Sequence, residues 1–477
     1  MSRKPLPNPN PEKPWPPDVK KQSGLRERTV RTSAGETRIV VQTREYKLIT
    51  PLFGGGIEPG ANDLDNLIRG PEIRGQLRFW WRAIRGGQPE FEGKLEKMKA
   101  REDEIWGTAS NTSNQREVDE LKKEQEKQAW NGSVQIEVEV PKDGQGQPIK
   151  PFKLVLKNGK YKISSDNGIP GYAAFPLRPP EEEVKRMGQD TPLAELRQNV
   201  EFSLRITFPE KWTDDVLASL WAWETFGGVG ARTRRGFGAL LLEKIDGKSV
   251  EDENLPPADS QRAEAWLKTQ LLAYKNTNGE TFPANVPHLE ATINSRVPGP
   301  FLHPQDAWNE LIGRLYRFRQ KRVDSRGYPS LFGKSLWPEA NALRRRLHPD
   351  WKQIRTPDKF PRAAFGLPLV FHLAHEHPAQ TITLQNLEDG SERWASRLIL
   401  KPIPCQEKQF LGLAMVLDGS ELPEETLALT RDGGTWQTIS KEQTQINPGE
   451  LPELNQILGK ETDILRAFLK FLSNGGN

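Results

Sequence analysis

Apolar and polar positions change period along the chain, and the changes mark its elements. From Thr37 to Phe53 the run TRIVVQTREYKLITPLF is rich in β-branched and aromatic residues and is stopped by Pro51 and by Gly54, Gly55 and Gly56, which predicts a long strand. Val134, Ile136, Val138 and Val140 alternate with Gln135, Glu137 and Glu139. Val200, Phe202, Leu204, Ile206 and Phe208 alternate in the same way with Glu201, Ser203, Arg205 and Thr207. Each run predicts a strand with one buried face. Between the first strand and this pair, Ile73, Leu77, Trp80 and Ile84 recur at helical spacing. Val216, Leu217, Leu220, Trp221 and Trp223 do so after Thr213 and Asp214, with a stop at Gly227 and Gly228. A last strand is expected from Ala239 to Ile245.

The order β, α, β, β, α, β is that of a ferredoxin-like fold. A second such series is traced from Leu289–Ile293 (strand) through Asp306–Arg322 (helix), Thr381–Leu387, Trp394–Pro402 and Phe410–Leu417 (strands) to a terminal helix after Asn447. The expected architecture is therefore α+β, with two ferredoxin-like (RRM-like) domains in tandem. A Pro-rich disordered tail covers residues 1–35, the first domain 36–260 with a charged polar insertion near 109–130, and the second domain 285–477.

Composition narrows the class. At 477 residues the chain is too long for one ordinary core, and 35% hydrophobic with 28% charged residues suits globular domains. No apolar run approaches the roughly 20 residues that span a bilayer, and the amino terminus lacks a secretory signal, so a soluble cytoplasmic protein is expected. A single cysteine, Cys405, excludes an internal disulfide framework.

The net charge of +4 says little, but its distribution says more. Residues 311–355 hold twelve Lys or Arg against Asp324, Glu339 and Asp350, and residues 69–85 hold five Arg against Glu72. At about 100° per residue, a helix from Ile73 gathers Arg74, Arg78, Arg82 and Arg85 on one face beside its apolar stripe, with Trp81 between the two. Four like charges on one face repel, so an anion is expected there, and phosphate is the natural one. Trp81 could offer a face to a base. The loop FGGVGARTRRGFG, residues 226–238, adds Gly228 and Gly230 as permissive backbone for an anion-binding concavity, with Arg232, Arg234 and Arg235 as its charge. Lys334 and the Arg344, Arg345, Arg346 run extend the basic set.

Other chemistries are poorly supported. Thr233 stands where a dinucleotide fingerprint needs its third glycine, and the loop leaves a helix rather than opening one. In GYPSLFGKS five residues separate Gly327 from Gly333 where a P-loop has four. His372, His375 and His377 have no second spaced ligand pair, so no metal site is assigned. There is no nucleophile elbow, no cofactor motif and no catalytic residue to nominate.

Taken in order, ITPLFGGG, IRGPEIRGQLRFWWRAIRG, GGVGARTRRGFG, GYPSLFGKSLWPEANALRRR and PRAAFGLPLVFHL resemble the first-subunit family of the Cmr (type III-B) CRISPR effector complexes, within the RAMP superfamily. The resemblance implies two RAMP domains in a non-catalytic, RNA-binding subunit of an antiviral ribonucleoprotein. It would sit near the 3′ end of the CRISPR RNA, partnered by CRISPR RNA, target RNA and other Cmr subunits. It would place Arg69, Arg74, Arg78, Trp81, Arg82, Arg85 and the glycine loop toward RNA, and Arg344 to Arg346 in the same cleft or against a neighbouring subunit. Two alternatives stay open. One is a metal-independent RAMP endoribonuclease using His288, His303 or Tyr46 as acid or base. The other is an adaptor binding only protein.

Overall fold

The computed structural model describes the chain apart from residues 1–25, 33–34, 55–61, 108–132, 276–278, 290–294, 324–333, 351–355, 374–375, 377–378, 388–392, 420, 424–425, 448, 451–453, 455–457, 459–460 and 474–477. The charged insertion, His375, His377 and most of GYPSLFGKS lie outside the described residues.

In the first domain β1 (Arg26–Thr32) pairs with the long β2 (Gly35–Leu48), so a strand forms at the end of the segment expected as tail. α1 (Gly70–Arg85) and α2 (Leu95–Trp106) follow, then β3 (Gln135–Glu139). Short excursions come next: β4 (Gln147–Ile149), the hairpin β5 (Phe152–Lys157) and β6 (Lys160–Ser165), α3 (Glu181–Met187) and β7 (Leu196–Gln198), which pairs with β4. β8 (Glu201–Pro209), α4 (Thr213–Phe226), β9 (Leu240–Ile245) and β10 (Lys248–Ser249) complete the unit. The sheet order is β10-β9-β2-β8-β3, all antiparallel. Without the short β10, this is the ferredoxin-like order in which the first strand lies between the fourth and the third. Register places Tyr46 opposite Phe202 and Leu242, so the predicted apolar faces meet on one side, where α1 and α4 cover them.

α5 (Ser260–Lys275) links the domains; its Tyr274 ring stacks on Trp221 of α4 at 4.9 Å. The second domain holds β11 (Ser295–Arg296), α6 (Pro304–Arg319), β12 (Arg322–Val323), β13 (Lys334–Ser335), α7 (Glu339–Leu347), β14 (Leu369–Leu373) and β15 (Gln380–Asn386). It continues with β16 (Leu398–Pro404), β17 (Phe410–Val416), β18 (Leu427–Arg431), β19 (Gly434–Thr438) and α8 (Ile464–Ser473).

Here the strands divide between two sheets. β11-β17-β16 is packed by α6 and α8, while β14-β15-β18-β19 packs its own core with Leu343 of α7. The strand expected at Thr381–Leu387 therefore belongs to the second sheet and does not neighbour β16. Its alternation leaves one face for a separate core, whereas β16 and β17 are apolar on both faces and must be covered twice. Ile399, Ile403, Leu413 and Met415 join the core of the first domain, and Leu398, Leu400, Ala414 and Val416 face α6 and α8. The two domains thus share a continuous core.

Candidate nucleic-acid interface

The apolar face of α1 forms as its sequence requires, with Ile73, Leu77, Trp80, Ala83 and Ile84 buried. Its arginine face is covered by protein. The Arg74 guanidinium donates to the carbonyls of Trp106 (2.7 Å) and Val134 (2.9 Å). Arg78 donates from Nε to Glu102 (2.6 Å), from one terminal nitrogen to Asp103 (2.9 Å) and from the other to the Gly107 carbonyl (2.8 Å). Arg82 shares Glu102. Arg85 reaches Asp215 (3.3 Å) and the carbonyls of Lys275 (2.6 Å) and Tyr274 (3.2 Å).

The anion expected on this face is therefore the protein's own: the carboxylates and free carbonyls at the end of α2, where cations are favoured, and Asp215 in the first turn of α4. Arg78, Arg82 and Arg85, expected to face RNA, are paired with these carboxylates, and Arg74, expected there too, donates to carbonyls alone. The expectation for Trp81 is corrected: it is 0% exposed and its indole N–H donates to Asp215 at 2.8 Å, so no base can reach it. Of the five arginines in this segment only Arg69 is exposed, on a groove shared with Leu64, Val138 and Gln145.

The glycine loop is likewise filled from within. The Gly230 amide donates to Glu72 Oε1 at 2.6 Å, occupying the seat expected for phosphate. The Gly228 carbonyl accepts from Trp223 Nε1 at 3.0 Å. These glycines serve packing. Gly230 has φ +82° and a Cβ there would lie 2.6 Å from the Phe53 carbonyl, while one on Gly228 would lie 2.7 Å from that of Gly238.

The same loop bolts the domains together. Arg234 donates to the Ser396 carbonyl and lies over the Phe79 ring. Arg235 donates to Leu398 (2.7 Å) and Phe365 (3.1 Å) carbonyls, and its own carbonyl accepts from Trp308 Nε1 at 2.7 Å. Carbonyls satisfy these guanidiniums without neutralising them.

A residue from the second domain joins them. Arg319, in the last turn of α6, sits with Arg232 beside Arg235. Neither Arg232 nor Arg319 has a hydrogen-bond partner on Nε, and neither makes an ion pair among the described residues. Burial lowers the basicity of all four arginines. Arg235 falls to about 9, through burial first and then repulsion from Arg319 and Arg232. Arg362 also lies close to Arg319, but it is paired with Glu339 at 3.0 Å. The result is a patch of partly exposed guanidiniums without ion pairs of their own where the domains meet, with the Glu339 carboxylate near enough to act on Arg319. Sequence reasoning counted Arg319 within a basic stretch but did not single it out, because its place beside the loop depends on the shared core.

The other basic run is compensated. Arg344 pairs with Glu376 (3.3 Å), Arg346 with Asp358 (2.6 Å), and Arg345 donates to the Thr356 carbonyl (2.7 Å) within reach of Asp358. These three arginines, expected in the same cleft or against a neighbouring subunit, are thus held by acceptors close to α7. Lys334 is exposed at the start of β13.

Of the residues considered for catalysis, Tyr46 is buried and its hydroxyl donates to Glu224 (2.6 Å), which also pairs with Arg44. His288 stacks on Phe282 at 4.0 Å, and His303 is exposed before α6. Among the described residues no three His, Cys, Asp or Glu side chains form a group that could hold a metal, and no helix is long and apolar enough to cross a membrane.

Residues 45–241, which span the ferredoxin-like sheet and its glycine- and arginine-rich loop, match the model of the RAMP superfamily. The chain is similar to CRISPR system Cmr subunit Cmr1-2 of Pyrococcus furiosus, 24% identical over 207 residues that cover 42% of this chain and 94% of the relative. Among solved structures it is similar to Cmr1 from Pyrococcus furiosus in its apo form, at 15% identity with a TM-score of 0.43, covering 82% of this chain and 94% of that one. A chain of the type III-B Cmr-beta complex bound to cognate target RNA matches at 14% identity with a TM-score of 0.41, covering 80% and 95%.

Proposed function

We propose that this protein is a non-catalytic, RNA-binding subunit of a type III-B CRISPR effector ribonucleoprotein. It stands near the 3′ end of the CRISPR RNA and helps capture complementary target RNA. The observation that carries the reading is the cluster of Arg232, Arg234, Arg235 and Arg319 at the domain junction, none of which makes an ion pair among the described residues. Clustered guanidiniums that make no ion pair of their own can hold phosphate, and backbone contacts of that kind position RNA without reading sequence, which suits a particle whose specificity comes from base pairing. The likeness to Cmr1-2 supports the assembly context.

The test is Arg232→Glu, which removes the partly exposed member that bolts nothing. In filter binding with single-stranded RNA, affinity should fall about tenfold or more while the melting temperature barely moves. Unchanged affinity overturns the reading. Crosslinks from this subunit to the 5′ half of the CRISPR RNA in the assembled particle would overturn the placement.

A further inference from the structure

The arginine patch has an aromatic wall. Tyr316 precedes Arg319 by three positions on α6, so the two share a face of the helix. Trp308 and Phe318 on the same helix are fully buried, yet Tyr316 is 40% exposed. Its ring meets Tyr172, from the loop after β6, edge to face at 5.4 Å and 73°. The Arg319 guanidinium lies 5.8 Å from the centre of the Tyr172 ring and 5.2 Å from that of Phe365. Arg232 is close enough to Tyr172 and Arg319 for its charge to be felt by both. Neither tyrosine hydroxyl has a hydrogen bond among the described residues, although Tyr172 is held between Tyr316 and Arg319.

An edge-to-face pair occupies at most one face of each ring. Tyr316 keeps 40% of its surface exposed, with Tyr172 between it and the Arg319 guanidinium, and the buried Nε groups of Arg232 and Arg319 have no acceptor. Guanidiniums without an ion pair close to an exposed aromatic side chain are a combination that binds a single-stranded nucleotide, its phosphate on the cations and its base on the ring.

We infer that Tyr316, propped by Tyr172, is a stacking platform for one unpaired RNA base whose phosphate is held by Arg232 and Arg319. This rests on the RNA-binding reading and adds to it a residue, a contact type and a ligand form. Every base has a π-face, so the platform accepts any base and favours an unpaired nucleotide over one inside a duplex.

The experiment uses the full chain and single-stranded RNA carrying 2-aminopurine at successive positions. Wild type should quench the probe at one position. Tyr316→Leu should lose that quenching and about tenfold in affinity, and Tyr316→Phe should keep both. An abasic site at the quenched position should weaken wild type to the level of Tyr316→Leu and leave Tyr316→Leu unchanged. If Arg232→Glu weakens binding while Tyr316→Leu binds and quenches as wild type, the platform is overturned and the RNA-binding reading stands. If Arg232→Glu and Tyr316→Leu both bind as wild type, both fail.

Discussion

Glu72, in the first turn of the arginine helix, accepts the Gly230 amide of the glycine loop across 158 residues of chain. A carboxylate of the protein thus takes the position in which the loop could have held a phosphate, and ties α1 to the junction between the domains. Replacing Glu72 with Ala should cost about 1–3 kcal/mol, the range for leaving a partly buried donor unmade. Denaturant unfolding measures it, and a variant as stable as wild type would show that the bond only follows the packing.

The arginines of α1 should behave as structural residues. Glu102 is 4% exposed and receives both Arg78 and Arg82, so Arg78→Glu places carboxylates against each other in a nearly closed site. A loss of about 3–5 kcal/mol is expected, the range for breaking a buried pair. Arg78→Glu should therefore reduce the yield of folded protein. If it folds as wild type but binds RNA poorly, the pairing with α2 matters less than the face itself.

Trp81→Phe keeps most of the buried ring and removes the donor to Asp215. It should lower stability by about 1–2 kcal/mol, and RNA affinity should stay at the wild-type value. Loss of RNA binding at full stability would reinstate Trp81 as a contact.

Lys401 on β16 is fully buried, with its Nζ donating to the carbonyls of Gly227 (2.7 Å) and Glu224 (3.0 Å) at the end of α4. Burial pulls its pKa down to about 7 from 10.5. Between those values the unfolded chain binds more protons than the folded one. Stability should therefore rise with pH from about 7 to about 10, by at most ~1.4 kcal/mol per unit. Melting temperatures across that range should climb in wild type and flatten in Lys401→Met. An equal climb in both would assign the effect elsewhere.

Salt dependence should report the size of the patch. Six phosphates on a single strand would give a slope of log affinity against log salt of about −4, whereas contacts confined to the loop arginines and Arg319 give about −2 to −3. A slope of −4 or steeper in filter binding would require a larger basic surface than this cluster.

Much of the first domain was legible because its signals are local. Alternation in β2 and β8, the apolar stripe of α1 and the stop at Gly227 each depend on neighbours within a few residues, and each element formed where expected. The second domain was read less well. β15 alternates as any half-buried strand does, and no local pattern states that its partners are β14 and β18 rather than β16.

The amino-acid order by itself determined the ferredoxin-like series of the first domain, the amphipathic arginine helix and the concentration of cations, because periodicity and turn chemistry act over a turn of helix or a few residues of strand. Only the tertiary structure decided which cations are left without an ion pair. Arg78 finds Glu102 24 residues away, Trp81 finds Asp215 at 134, and Arg235 finds the Leu398 carbonyl at 163. A charge is neutralised by whatever folding brings within about 4 Å of it, and that distance is set by the packing of the shared core.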